Sequence, residues 1–243
     1  MVEMTRRTAI GTGMAAPLLQ AAGVTDGIKA LLDTKKPLTW VFTGDSITHG
    51  ASHTLGWRSY PEHLAERIRW EMRRVRDMVI NTGISGDRLH RMLPEFEARV
   101  GRFQPQIVSV NFGMNDCVAG AEGREVFRKS LGECRERVQA LGAQMVLHAP
   151  NLIHYPADAA RKDLAAYVEI VREFAAMHRL VLVDHYAEWS VPARSQPAHR
   201  LLMLLNDGAI HLNQYGHILM AHTTMRALGI FDAQSATGRL FVP

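Results

Sequence analysis

From Pro37 onward the chain alternates short, nearly continuous apolar runs with longer amphipathic stretches, and this alternation narrows its architecture more than anything else in it. Parallel strands covered on both faces lose the polar half of the usual two-residue alternation, and they need long crossovers to connect them. The strand candidates are Leu38–Thr43, Met78–Asn81, Ile107–Asn111, Gln144–His148 and Val181–Val183. Between and after them, apolar residues at three- and four-residue spacing predict helices over Tyr60–Arg76, Arg88–Val100, Gly123–Leu141, Ala159–His178 and Gln214–Leu228. The expected class is therefore α/β with a five-stranded parallel sheet. The stretch Asp184–Leu205 holds Trp189, Pro192 and Pro197 without a clear period and reads as a long irregular connection near the functional site. Within it, Leu201–Leu205 reads as a short helix or a core-facing turn.

A length of 243 residues with 47% hydrophobic and 21% charged content suits one large domain, with its boundary near residues 33–37. Residues 37–243 are read as that domain and residues 1–36 as a separate N-terminal segment. A formal net charge of +4 is too small for a strong field, so no nucleic-acid partner is expected. The basic run Arg67 to Arg76 reads as a solvated helix face. Cys117 and Cys134 are too few for a disulfide framework and lack zinc-site spacing. No run approaches the ~20 apolar residues of a membrane span, so stable membrane insertion is not expected. In the N-terminal segment, Thr5-Arg6-Arg7-Thr8 precedes a Gly/Ala-rich stretch and the small residues Ala21-Ala22-Gly23. That order resembles a twin-arginine export signal ending before Val24, although Ala9 stands where a large apolar residue is preferred. Export to the periplasm or beyond is one expectation; a packed N-terminal helix on a cytoplasmic protein is the other.

In an open parallel sheet, ligands bind beyond the carboxyl ends of the strands, so the loops there carry the chemistry. The first strand is followed by Gly44-Asp45-Ser46-Ile47-Thr48, which sets a hydroxyl at the start of the next element. A helix N-cap serine would look the same. The second strand ends in Asn81-Thr82-Gly83-Ile84-Ser85-Gly86, where a glycine N–H can approach a ligand closely or simply make a turn. After the third comes Gly113-Met114-Asn115-Asp116, where a carboxamide donor or a turn former fits equally. Near the C-terminus, Asp207 and His211 stand just before the last helix.

In this order and position the four elements resemble the sequence blocks of the GDSL/SGNH hydrolases, from about Leu38 to Leu228. The resemblance implies a flavodoxin-like three-layer α/β/α sandwich and serine-dependent ester hydrolysis. By it, Ser46 is the nucleophile and His211 the general base, while the Ser46 N–H, the Gly83 N–H and the Asn115 side chain form the oxyanion hole. The family places its acid three residues before the histidine, whereas here Gly208 holds that position and Asp207 lies one further back. Either a one-residue bulge lets Asp207 reach Nδ1 of His211, or a backbone carbonyl orients the ring and Ser46 and His211 act as a dyad.

Trp57, His148 and Asn151 lie on segments expected to border the pocket and are the candidate substrate contacts, with helix-start packing as the alternative for Trp57. No metal-ligand spacing and no phosphate or dinucleotide fingerprint occurs, so neither metal nor organic cofactor is expected. The expected substrate is a small-molecule or carbohydrate ester, with short O-acyl groups such as O-acetyl favoured. A lipase- or thioesterase-like acylhydrolase, acyl transfer to another alcohol, and a non-catalytic carbohydrate-binding module are the rivals. The sequence leaves the oligomeric state open.

Overall fold

A computed structural model describes residues 24–195 and 197–243. The Arg6-Arg7 segment lies outside the described residues. Five strands, β1 (Thr39–Gly44), β2 (Met78–Asn81), β3 (Ile107–Asn111), β4 (Gln144–Ala149) and β5 (Val181–Asp184), form one sheet. Its order is β2-β1-β3-β4-β5, and every pairing is parallel. The α-helices are α1 (Asp26–Asp33), α2 (Ser46–His49), α3 (Tyr60–Ala65), α4 (Leu89–Met92), α5 (Phe96–Arg99), α6 (Arg124–Ala140), α7 (Leu164–Met177), α8 (His185–Ser195), α9 (Pro197–Leu202) and α10 (Gln214–Ala227).

Both faces of the central strands β1, β3 and β4 are buried, which is why they read as continuous apolar runs, while the edge strand β2 is only partly covered. Alternate residues go to opposite sides. Val41, Val108, Val110 and Leu147 pack with Leu89, Phe127, Leu131 and Val168 in one layer. Trp40, Phe42, Val146 and Val183 pack with Tyr60, Leu64, Trp189 and Met220 in the other. The result is a three-layer α/β/α sandwich in the flavodoxin-like strand order. The direction of winding reverses between β1 and β3, and the crevice at that switch point opens beyond their carboxyl ends.

Three elements differ from the sequence reading. The segment Asp184–Leu205 holds two helices, α8 and α9, rather than an irregular connection. Its inward-facing pair on α8 is His185 and Trp189, both fully buried, so half of the helical stripe is a polar residue type and the period was hidden. The Asp184 carboxylate also accepts the Ala187 N–H at 2.9 Å, which helps to start that helix. Residues 88–100 form α4, a single 3₁₀ turn over Leu93–Glu95 and α5, because Pro94 cannot continue an α-helical ladder. After Ala65, α3 widens into a π-helical segment over Glu66–Glu71 and stops there, short of Arg76. Among the described residues, no helix is long and apolar enough to cross a membrane.

Candidate active site

The nucleophile turn is built by its neighbours. Asp45, at the end of β1, caps α2 by accepting the Ile47 N–H at 2.9 Å. Ser46 is therefore the first helical residue rather than the cap, and its hydroxyl is free for other work. It is used across the crevice: Ser46 Oγ lies 3.1 Å from His211 Nε2. On the far side of the ring, His211 Nδ1 lies 2.5 Å from Asp207 Oδ2. A carboxylate only accepts, so Nδ1 carries the ring proton, Nε2 presents its lone pair and the serine hydroxyl donates to it.

The loop that holds Asp207 accommodates the extra residue as a bulge. Gly208 takes a left-handed φ of 69°, a conformation that costs a residue with a side chain about 1–2 kcal/mol. Asp207 Oδ1 then accepts the N–H groups of Ala209, Ile210 and His211 at 2.9, 2.9 and 3.0 Å. One carboxylate thus shapes the loop with one oxygen and orients the imidazole with the other. Partial burial pushes the Asp207 carboxyl up, but the Ala209 N–H, the His211 ring and the other two N–H groups together hold it below the usual carboxylate range. The loop is closed by the Asn206 N–H donating to the His211 carbonyl at 2.7 Å, and it is braced by the His154 N–H on the Ala209 carbonyl at 2.9 Å.

Of the three expected oxyanion donors, the Ser46 N–H is in the first turn of α2 and has no intrahelical acceptor by position. Asn115 is buried, and its Nδ2 donates to the Asp87 carbonyl at 3.0 Å, leaving a second amide hydrogen. At Gly83 the structure departs from the expectation, because its N–H donates at 2.9 Å to Asn81 Oδ1. The cause is local: Asn81 Nδ2 binds the Thr48 carbonyl at 2.7 Å to tie off α2, and this brings its oxygen onto Gly83. The glycine is required all the same, since a Cβ there would meet the His49 nitrogen at 2.5 Å.

The candidate substrate residues divide. Trp57 is 58% exposed in the loop after the nucleophile, so helix-start packing does not explain it. His148 is not a pocket residue. It is fully buried in the sheet, with Nε2 2.7 Å from Ser109 Oγ and Nδ1 2.9 Å from His185 Nε2. Burial holds the His185 imidazole down at about 3 and His148 well below the ordinary range, so both rings are neutral core residues. Strand β4 runs one residue beyond its expected end, to Ala149, so His148 is an interior strand residue rather than the last one, at the edge of the pocket. Asn151 is likewise buried, donating to the Leu152 carbonyl at 3.1 Å. Both cysteines are free and buried.

Three residues near the site escaped the sequence reading. His53 lies parallel to His211, with ring centroids 3.4 Å apart and planes 5° apart. Arg99 is buried and ties the end of β1 to the loop after β2, pairing with Asp87 and donating to the Thr82 carbonyl at 3.0 Å and the Gly44 carbonyl at 3.5 Å. Arg161 donates to Asn115 Oδ1 at 2.8 Å. The histidine-rich loop after Ser46 was a weak signal for His53; nothing local marks the two arginines. Among the described residues, no group of three or more His, Cys, Asp or Glu is arranged to hold a metal ion.

A profile of the GDSL-like lipase/acylhydrolase family matches residues 42–219, which contain all the elements just described. The chain belongs to this family. An uncharacterized protein of Mycoplasma pneumoniae is 33% identical over 93 residues, covering 38% of this chain and only 10% of that relative's length. Among solved structures, an acetylxylan esterase from Geobacillus stearothermophilus superposes with a TM-score of 0.66 at 22% identity, covering 82% of this chain and 97% of its own. An alpha/beta hydrolase enzyme from the metagenome of Lake Arreo, Spain, gives 0.67 at 22% identity over 81% of this chain and 98% of its own. At that identity the likeness speaks for the fold. The GDSL family assignment and the geometry together define the chemistry available: a hydroxyl with its proton acceptor in place, and amide donors beside it.

Proposed function

We propose that this GDSL-family chain is a serine ester hydrolase acting through an acyl-enzyme. The observation that carries the reading is the continuous Ser46–His211–Asp207 line, at 3.1 and 2.5 Å. His211 takes the hydroxyl proton as Ser46 Oγ attacks an acyl carbonyl. Negative charge collects on the carbonyl oxygen, facing the Ser46 N–H and the second Asn115 amide hydrogen, with Gly83 able to share its N–H. Collapse expels the alcohol, which receives its proton from His211. Water, deprotonated by the same ring, then releases the acid and restores Ser46. Asp207 stabilises the imidazolium in both halves.

For the substrate, we propose short O-acyl groups, O-acetyl foremost, on a carbohydrate. The exposed indole of Trp57 beside the nucleophile loop offers a flat apolar face of the kind that packs against sugar rings. The acetylxylan esterase named among the structural neighbours is consistent with that choice.

Ser46→Ala tests the activity. Hydrolysis of p-nitrophenyl acetate and labelling by a fluorophosphonate probe should both vanish, with a rate loss that can reach the order of 10⁶. The unfolding midpoint should hardly move, because Asp45 rather than Ser46 caps the helix. Turnover retained by pure Ser46→Ala protein would end the reading. For the substrate, acetate release from acetylated xylo-oligosaccharides should exceed hydrolysis of long-chain p-nitrophenyl esters, and the reverse order would point to a lipase-like acylhydrolase.

A further inference from the structure

The Asn115 carboxamide has to present an N–H, not its oxygen, toward a developing oxyanion, and an amide group has two ways round. Two neighbours distinguish them. The Asp87 carbonyl accepts from Nδ2 at 3.0 Å, and the Arg161 guanidinium donates to Oδ1 at 2.8 Å. Turning the amide over would set oxygen against oxygen on one side and N–H against N–H on the other. The guanidinium is itself held in place. Its Nε donates to the Met114 carbonyl at 2.9 Å, and Nη1 pairs with Asp158 on the same 3₁₀ turn region. Its side chain is only 15% exposed.

We propose that Arg161 is a positioning residue of the oxyanion pocket: it fixes which way the Asn115 amide faces, and through the amide oxygen it polarises the N–H that meets the oxyanion. This rests on the ester-hydrolase reading above and adds to it a residue from the β4–α7 connection. The planar fork is essential to the role, since three donors are aimed at three acceptors at once, and an ammonium is a single point charge that cannot span them. Polarisation along the chain guanidinium, amide oxygen, amide nitrogen grows as charge appears on the substrate oxygen. The benefit therefore falls on the transition state rather than on ground-state binding.

The test compares Arg161→Met, Arg161→Lys, Asn115→Ala and the double variant Arg161→Met/Asn115→Ala, using p-nitrophenyl acetate. Losing one oxyanion donor costs on the order of 10²–10³ in kcat, so Asn115→Ala should fall in that range and Arg161→Met should lose about 10- to 100-fold, with KM within about twofold. The double variant should be no slower than Asn115→Ala alone, because without the amide there is nothing left to orient. Arg161→Lys, which keeps the charge beside Asp158, guards against a simple folding defect and should also lose kcat at unchanged KM, by a smaller factor than Arg161→Met. Multiplicative losses in the double variant, wild-type kcat in Arg161→Lys, or an effect confined to KM would each overturn the proposal. A wild-type protein without turnover or Ser46 labelling would instead defeat the ester-hydrolase reading, and this inference with it.

Discussion

Ser46 and Asn115 emerge from the carboxyl ends of two buried neighbouring strands, β1 and β3, whereas Asp207 and His211 stand on a partly exposed loop between α9 and α10. On the strand side, many independent elements hold the geometry: the Asp45 cap, Asn81 tying off α2, Arg99 between β1 and the loop after β2, and Arg161 on the amide. On the loop side, backbone bonds from Asn206 and His154 close the loop, but the imidazole is oriented by one carboxylate, which also accepts three backbone N–H groups. The first kind of construction is redundant; the second concentrates the consequences of one substitution. The geometry of a proton relay can rest on a loop only if something supplies the rigidity that a sheet would give, and here that is the second oxygen of Asp207.

The largest expected effect breaks the loop side. Asp207→Asn can keep the three backbone N–H groups on its oxygen, so the bulge persists. Its amide nitrogen then faces His211 Nδ1 and demands an acceptor there, which puts the ring proton on Nε2 and blocks Ser46. A loss of about 10⁴ in kcat is expected, with little change in the unfolding midpoint. Loss within a few-fold would mean that the ring is oriented by something else and that Ser46 and His211 act as a dyad.

The next effect attacks the strand side where it has no slack. Gly83→Ala would bring a Cβ to 2.5 Å from the His49 nitrogen, a backbone atom that cannot step aside without moving α2 and Ser46 with it. An activity loss on the order of 10²–10³ is expected, together with a lower unfolding midpoint, as for a displaced oxyanion donor. Near-normal turnover would show that the α2 turn is less rigid than its bonding indicates and would narrow the contrast between the two sides.

How much of this was legible in the sequence follows the same division. The central strands were readable because burial on both faces leaves an unbroken apolar signature, and Ser46 and Asn115 could be placed because they follow two of those strands. Asp207 could be reached because the bulge is local: a glycine beside an acid, four residues before a histidine. What could not be read depends on contacts between distant segments. Arg161 meets Asn115 only after β4 and its loop fold back over β3. His148 reads as a pocket residue because it ends the expected fourth strand, whereas it is a buried histidine that only Ser109 and His185, from two other segments, make tolerable in the core. Helix α8 was missed for the same reason.

A smaller effect concerns protonation on the strand side. Burial pushes the Asp45 carboxyl up to about 7 despite the Ile47 N–H, with Asp116 and Asp87 adding to the rise and Arg161 opposing it. An acid whose folded value is raised binds more protons folded than unfolded, so its contribution to stability declines as pH climbs from about 4 to 7 and is constant above that. Asp45→Asn keeps the cap and removes the titration. Relative to wild type, the variant's free energy of unfolding should therefore rise steadily between pH 4 and 7, by on the order of a few kcal/mol at most, and then level off. A difference that does not vary with pH would mean that Asp45 is not a strained carboxyl. Asp207, held below its usual range, predicts the opposite trend at lower pH for the loop side.

The smallest effect asks whether the His211 ring has any support besides Asp207. His53 lies flat on His211 at 3.4 Å, and its carbonyl accepts Asn206 Nδ2 at 2.8 Å, so the loop after the nucleophile covers one face of the base. Burial, the neighbouring His211 and His49 all lower the His53 imidazole, with Asp207 pulling the other way, so the covering ring stays neutral. A neutral ring face on His211 limits its rotation about Cβ–Cγ, the motion that would break the bonds to Ser46 and Asp207 together. It also lies against the imidazolium that forms during each half-reaction. Aromatic pairs of this kind contribute about 0.5–1.5 kcal/mol, so His53→Ala should lower kcat by up to about tenfold with KM little changed. His53→Phe keeps a flat ring without a titratable nitrogen and should recover most of that loss. If the two variants are equally impaired, the ring nitrogen rather than the stacked face matters. If neither differs from wild type, Asp207 alone holds the imidazole, and the contrast between a multiply braced strand side and a singly held base is sharper than the structure's packing indicates.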